Sequence, residues 1–341
     1  MWVRKVSLPV LIFAAALYGQ GRRMLDIYWI DAEGGGATLI VTPGGKSLLV
    51  DTGNATPDDR DAKRIREAAQ QAGLKTIDYV LTTHFHSDHV GGAAALSRMI
   101  PIEHFVDHGD SIETQAPRDA ELWQAYTSIA GGKRIVVKPG DKIPLAGVDV
   151  TVVSSNGAVL AKAVNGGGPN AFCRDAKNKE PDRGENGASA GVLLTYGKFK
   201  FLDLGDLTWD KEMDLSCPVN KLGTVTIFQA THHGFFREAS GAPAHVWALR
   251  PQVVVVNNGP RKGLQESAWD VMQKIPGLEA VWQGHLAVAS DKQHNTSEEM
   301  IANLEGTSEC KGRWLKASVA ADGTFTVTNS RNGFSKTYTS R

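Results

Sequence analysis

Charge of one sign is what this sequence most clearly lacks. Its 341 residues hold 37 Lys+Arg and 37 Asp+Glu, so the formal net charge is zero. Holding nucleic acid by bulk electrostatics takes a basic excess, so no strong nucleic-acid footprint is expected. Cysteine is scarce too. Cys173, Cys217 and Cys310 lie far apart with no Cys-x-x-Cys spacing, which excludes zinc-finger and thioredoxin-like chemistry. Three thiols allow at most one internal bridge, and one bridge or isolated thiols both stay open. Beyond the first twenty residues no apolar run reaches the ~20 residues of a membrane span. Internal repeats and low-complexity tracts are missing as well. A composition of 42% hydrophobic and 22% charged residues excludes collagen-like and disordered chains.

The first twenty residues differ from the rest. Arg4 and Lys5 precede an apolar run from Val6 to Tyr18, and Gly19 offers a small residue before Gln20. This pattern reads as a signal peptide over residues 1–19, despite the bulky Leu17. The expectation is export to a periplasmic or extracellular space. Cleavage would remove two cations and no acid, leaving 35 positive and 37 negative side chains (37 − 2 = 35), net −2. Residues 20–341 are expected to form one domain, with no transmembrane span. The oligomeric state is open.

Strand-like runs open that domain at 27–30, 38–41 and 47–50, separated by Gly-rich turns. A helix should follow from Thr56 and Pro57 to the stop at Gly73. Tyr79–Thr82 reads as a strand, a small-residue helix begins near Gly91, and 118–130 reads as a helix. Strands return at 148–153, 191–195, 199–204 and 225–228. The all-valine run 253–256 suits a strand buried on both faces. Helical spacing covers 265–275, and a hairpin around Asp322-Gly323 joins 314–319 to 324–328. Residues 165–187, rich in Gly, Pro, Asn and charge, read as a long surface loop. Two mixed halves, roughly 24–155 and 188–330, point to two sheets with helices outside.

The strongest signal is Thr82-Thr83-His84-Phe85-His86-Ser87-Asp88-His89-Val90-Gly91-Gly92. Three of the ten histidines and one aspartate fall within six residues, just after a predicted strand. His84 and His86, two apart in extended chain, point the same way. Imidazole and carboxylate together make a ligand set for zinc-like ions. Asp88 and His89 are adjacent and would aim elsewhere, toward a second ion. Asp51, at a strand end, either orients ligands or caps a turn. His285 follows a strand and either faces the cleft or is a polar strand end. His294 precedes a helix cap. Asn257, Asn258, Arg261 and Lys262 follow the valine-rich strand as an anion-binding loop or a solvated one.

His-x-His-x-Asp-His at a strand end, preceded by Leu49-Val50-Asp51-Thr52-Gly53, resembles the metallo-β-lactamase-fold hydrolases. The later motifs follow in order. Phe201-Leu202-Asp203-Leu204-Gly205-Asp206 stands where that family has its bridging aspartate, and Thr231-His232-His233-Gly234 where it has its last histidine. With Asp31-Ala32-Glu33-Gly34-Gly35-Gly36 and Thr42-Pro43-Gly44-Gly45, the layout is closest to the extracellular hydrolase domain of bacterial competence DNA-uptake proteins. It is also similar to bacterial surface phosphocholine esterases.

The resemblance implies an αββα four-layer sandwich holding two divalent ions, zinc in first place and manganese as the alternative. It implies His84, His86, Asp88, His89, Asp206 and one of His232 and His233 as ligands. Asp88 and Asp206 would be catalytic, and Asp31, Asp51, Asn186 and Ser189 would support them. Asp206 matches the family motif better than Asp203. The chain departs from the lactamase and lactonase pattern, since no histidine lies between His108 and His232. The first metal, left with only His84, His86 and Asp206, would then keep an open position, which suits catalysis. The implied activity is an exported metallo-hydrolase whose hydroxide, shared between two ions, attacks a phosphodiester or phosphate ester. Hydrolysis of a lactone, lactam or thioester is the alternative, and a non-catalytic metal-binding module the third reading. The substrate-binding residues are not identified.

Overall fold

Alternation along the strands decides the layers. In the strand Val253–Val256, Val253 and Val255 point into one core, while Val254 and Val256 point into another. Successive strand side chains face opposite sides, so a strand apolar at every position is covered on both. The same division runs through Thr38–Val41 and Ser47–Val50, where Ile40 and Leu48 face the central core and Leu39 and Leu49 the outer one.

The computed structural model describes residues 24–306 and 310–341; the signal peptide read over 1–19 lies outside them. Two large sheets pack face to face. The first runs in the order 335–339, 324–329, 315–319, 25–29, 38–41, 47–50, 77–81, 102–107, 134–136. It is antiparallel as far as 47–50 and parallel beyond. The second runs 301–303, 280–285, 253–256, 227–229, 199–203, 191–196, 149–155, 158–159. Its parallel part spans 301–303 through 199–203, and the rest is antiparallel. Trp29, Val50, Phe201, Val255 and Trp282 fill the space between the sheets. Helices Arg60–Gln71, Ala93–Met99 and Pro117–Ala130 cover the outer face of the first sheet. Helices Pro243–Leu249 and Glu266–Gln273 cover that of the second. The result is the expected αββα sandwich.

Two differences from the sequence reading stand out, and the cysteine alternatives resolve to one bridge. The hairpin 315–319/324–329 does not close the second half. It pairs with Leu25–Trp29 in the first sheet, while 149–155 crosses to the second. The helix expected from Thr56 starts at Arg60, because Asp59 takes a left-handed φ of 55° before it, although Thr56 Oγ1 still accepts from Arg60 N at 2.8 Å. The loop 165–187 is fastened by the disulfide Cys173–Cys217, and Cys310 is a free buried thiol. Among the described residues, no helix is long and apolar enough to cross a membrane.

Candidate metal centre

The strand Ile77–Leu81 ends beside 47–50, and the chain then turns through Thr82–His86 into the short helix Ser87–Val90. Asp51, at the end of the neighbouring strand, fixes this turn. Its Oδ1 accepts from Thr83 N and its Oδ2 from Thr83 Oγ1, each at 2.8 Å. Asp51 Oδ2 also lies 2.7 Å from His89 Nδ1, which leaves His89 Nε2 aimed into the site. A carboxylate on one imidazole nitrogen sets both the tautomer and the direction of the other. The Gly-rich turn 34–36 lies against this pair. A Cβ on Gly36 would sit 2.7 Å from Asp51 Oδ2 and 2.9 Å from His89 Nδ1, so only glycine fits.

Later segments bring the remaining donors from the C-terminal ends of the second sheet's strands. Asp206 follows Phe199–Asp203, and the two histidines follow Ile227–Gln229. His232 and His233 both adopt left-handed backbone, with φ of 53° and 56°. Such strain in consecutive non-glycine residues persists only where the surroundings enforce it, and it concentrates at functional sites.

Asp88, His89, Asp206 and His233 offer one ligand atom each, all within 4.8 Å of one another. His89 Nε2 and His233 Nε2 are 3.2 Å apart, and each faces Asp88 Oδ2 at 3.2 Å. Beside them, His84 Nε2 and His86 Nδ1 are 3.1 Å apart, and the rings of His84 and His89 are centred 4.1 Å apart. Of the two late histidines, His233 joins the four-donor group, while His232 Nε2 lies 3.2 Å from Asp206 Oδ2. Asp206, not Asp203, is the aspartate in the group. Asp203 is buried and accepts from Gly205 N at 3.0 Å; burial and the Asp51 charge push its carboxyl up to about 7.

The electrostatics suit a cation. Burial alone would raise both Asp88 and Asp206. His89 and His233 reverse this for Asp88, and His233, His89 and His232 do so for Asp206, holding both carboxyls well below the usual range. Burial and neighbouring His89 push His84 far below its ordinary value, so it keeps a free lone pair at neutral pH. His89 goes the other way: burial is overcome by Asp206, Asp51 and Asp88. Mixed imidazole and carboxylate donors, packed this closely and shielded from water, fit one or two divalent ions of borderline softness.

Other residues named from the sequence fall elsewhere. Asp31 does not touch the donors; it pairs with His285 Nε2 at 2.6 Å and Arg64 at 2.9 Å. His285 is therefore a buried partner of Asp31 and does not face the cleft. Asn186 and Ser189 lie in the segment that reaches the ligand loop through Ala190 N and Thr83 O, at 2.8 Å. Asn186 Oδ1 and Ser189 Oγ are buried with no hydrogen-bond partner among the described residues.

Three carboxylates went unnoticed in the sequence. Glu113 Oε2 sits 3.1 Å from His86 Nε2, as Asp51 does for His89. Glu185 accepts from Phe85 N between the two ligand histidines, and from His108, Ser111 and Ile112 N. Those contacts outweigh burial and bring its carboxyl down to about 2. Glu212, in helix Trp209–Ser216, accepts from Ala242 N at 2.8 Å behind the late histidines. Burial, with Asp210 adding to it, raises Glu212 to about 8.

Residues 31–162 match the family model described as "Metallo-beta-lactamase superfamily". A UPF0173 metal-dependent hydrolase of Cupriavidus necator is 39% identical over 74 residues, 22% of this chain and 23% of that protein. Hydroxyacylglutathione hydrolase of Xanthomonas campestris pv. campestris is 29% identical over 118 residues, 35% of this chain and 36% of its own length. The chain thus spans about a quarter to a third of these curated relatives. A solved diphosphatase of the PhnP family overlays 72% of this chain and 80% of its own, at 16% identity and a TM-score of 0.38. The matched stretch carries His84, His86, Asp88 and His89, so the ligand loop of this chain is similar to that of the metallo-beta-lactamase superfamily.

Proposed function

We propose that the protein is a metal-dependent hydrolase of phosphodiesters or phosphate esters, acting after export. The observation that carries the hydrolase reading is the convergence of Asp88, His89, Asp206 and His233 beside His84 and His86. His84 and His86 with Asp206 would hold one ion, and Asp88, His89, Asp206 and His233 a second. Bound divalent ions would supply Lewis acidity to activate water and charge to steady a developing negative oxygen.

The chain's own residues do the positioning. Asp51 and Glu113 hold His89 and His86 by their far nitrogens. Glu185 fixes Phe85, which lies between His84 and His86. Burial lowers His232 to about 4, so it is neutral at pH 7 and able to donate from Nε2 to Asp206 Oδ2. The phosphoester preference draws support from the sequence resemblance to competence-type hydrolase domains and phosphocholine esterases. Export draws support from residues 1–19 and from the Cys173–Cys217 disulfide, a bond that persists in oxidising compartments.

The test begins with elemental analysis of the purified protein. Hydrolysis of bis(p-nitrophenyl) phosphate, p-nitrophenyl phosphate, a lactone, a thioester and a chromogenic β-lactam follows. The expected result is bound metal and turnover of a phosphate substrate, with Asp206→Asn losing about 10²–10³-fold in kcat. Turnover confined to the thioester or lactone would replace the phosphoester reading. Full activity in Asp206→Asn would remove the shared-aspartate arrangement.

A further inference from the structure

Lys262 stands in the turn that follows Val253–Val256, and its ammonium pairs with Asp88 Oδ2. That is the same oxygen faced by His89 Nε2 and His233 Nε2, each at 3.2 Å. We propose that Lys262 is an exchangeable counter-ion of the centre. It neutralises Asp88 while the second-ion position is empty, and a divalent ion that takes Asp88 releases the ammonium to receive an anionic oxygen of the substrate. This rests on the metal-dependent reading above.

The backbone of Lys262 is not free to drift. The turn is closed by Gly259 N donating to Lys262 O at 2.8 Å. It packs against the 31–36 turn so tightly that a Cβ on Gly259 would lie 2.3 Å from Glu33 O, and one on Gly34 3.0 Å from Lys262 Cβ. The same two segments hold the donors: Gly36 N donates to Asp88 O, and Leu264 N to His233 O, both at 2.9 Å. The stem therefore starts from a fixed point between Asp88 and His233. The side chain is about a third exposed, at 30%. A four-carbon stem with that much access to water can swing its ammonium outward while its Cα stays in place.

Competition follows from charge. An ammonium and a divalent ion cannot share one carboxylate oxygen without strong repulsion, which low local dielectric amplifies. A second ion must therefore displace the ammonium from Asp88, and this weakens that ion's apparent affinity. Once displaced, a cation anchored next to a metal centre is a ready partner for a phosphate or carboxylate oxygen. Ion binding and anion binding are thereby coupled through one side chain.

Calorimetric titration of manganese into chelator-stripped parent, Lys262→Met and Lys262→Arg proteins tests this, followed by inorganic phosphate titrated into each manganese-loaded protein. Lys262→Met should bind its second ion about tenfold more tightly, because the competing charge is gone. The same variant should bind phosphate about tenfold more weakly. Lys262→Arg should stay close to the parent in both. A merely structural lysine would not move the two affinities in opposite directions. Unchanged or weaker manganese binding in Lys262→Met overturns the proposal, as does unchanged phosphate binding. If none of the three proteins binds manganese or zinc, the metal-dependent reading itself falls, and the proposal with it.

Discussion

Glu212 offers a sharp test of how the site's support is built. Its carboxyl is fully buried in helix Trp209–Ser216, where Oε2 accepts from Ala242 N. Burial raises its pKa from an ordinary 4.5 to about 8. The folded protein therefore keeps a proton on Glu212 that the unfolded chain has already lost above pH 4.5. Stability from this group is present in full below pH 4.5 and is lost as pH rises through 8. The shift of about 3.5 units corresponds to roughly 5 kcal/mol at 1.36 kcal/mol per unit, an upper bound that structural relaxation will reduce. Glu212→Gln mimics the neutral acid, keeps an acceptor for Ala242 N and cannot ionise. Urea unfolding of chelator-stripped protein from pH 4.5 to 9 should show parent and variant close together at the acid end. The parent should then fall behind by several kcal/mol at the alkaline end. Parallel stability curves would refute the buried neutral acid.

Glu113→Gln removes the charge behind His86, so calorimetry should show the ion held by His84 and His86 bound about 10–100-fold more weakly, with the other position little changed. Gly263→Ala places a Cβ 1.9 Å from His233 O at a φ of +81°. It should cost about 2–4 kcal/mol and one equivalent of bound metal, read by thermal melting and elemental analysis. The Cys173–Cys217 bridge spans 44 residues, and loop-closure entropy gives it ~4 kcal/mol. Dithiothreitol should therefore lower the parent's melting temperature and leave that of Cys173→Ser unchanged.

Much of the fold was legible because its strands announce themselves. The strands 38–41, 47–50 and 253–256 stand where short apolar runs between turns placed them. The cluster from His84 to His89 was legible because four donors within six residues are rare without a purpose. Local pattern carries no information about partners far along the chain, and that is where the reading stopped. Glu113 in a loop and Glu185 at the start of the short helix Glu185–Ala188 are single acids at no set spacing from the histidines they support. His285 meets Asp31 across 254 positions, so its role shows only when the two sheets are packed. The run from Asn257 to Lys262 reads equally as an anion loop or a solvated one, because Lys262 meets Asp88 across 174 positions.

The late hairpin has a consequence for how the molecule comes to be. Leu25–Trp29 pairs on one side with Thr38–Val41 and on the other with Leu315–Val319, and Ser318 Oγ reaches Asp26 across 292 positions. During synthesis the early strand has its first neighbour at once but waits for nearly the whole chain before the second arrives. Contacts this distant are slow to form because a long loop must close first. Until then one edge of the first sheet stands open beside apolar Leu25 and Ile27, a surface that invites pairing with other chains. A chain crossing a membrane unfolded would meet the same wait on the far side. The stretch between these strands contains every proposed metal donor, from His84 to His233. An ion captured by those donors early would tie the two sheets together before the hairpin docks, and so shorten the interval in which that edge is exposed.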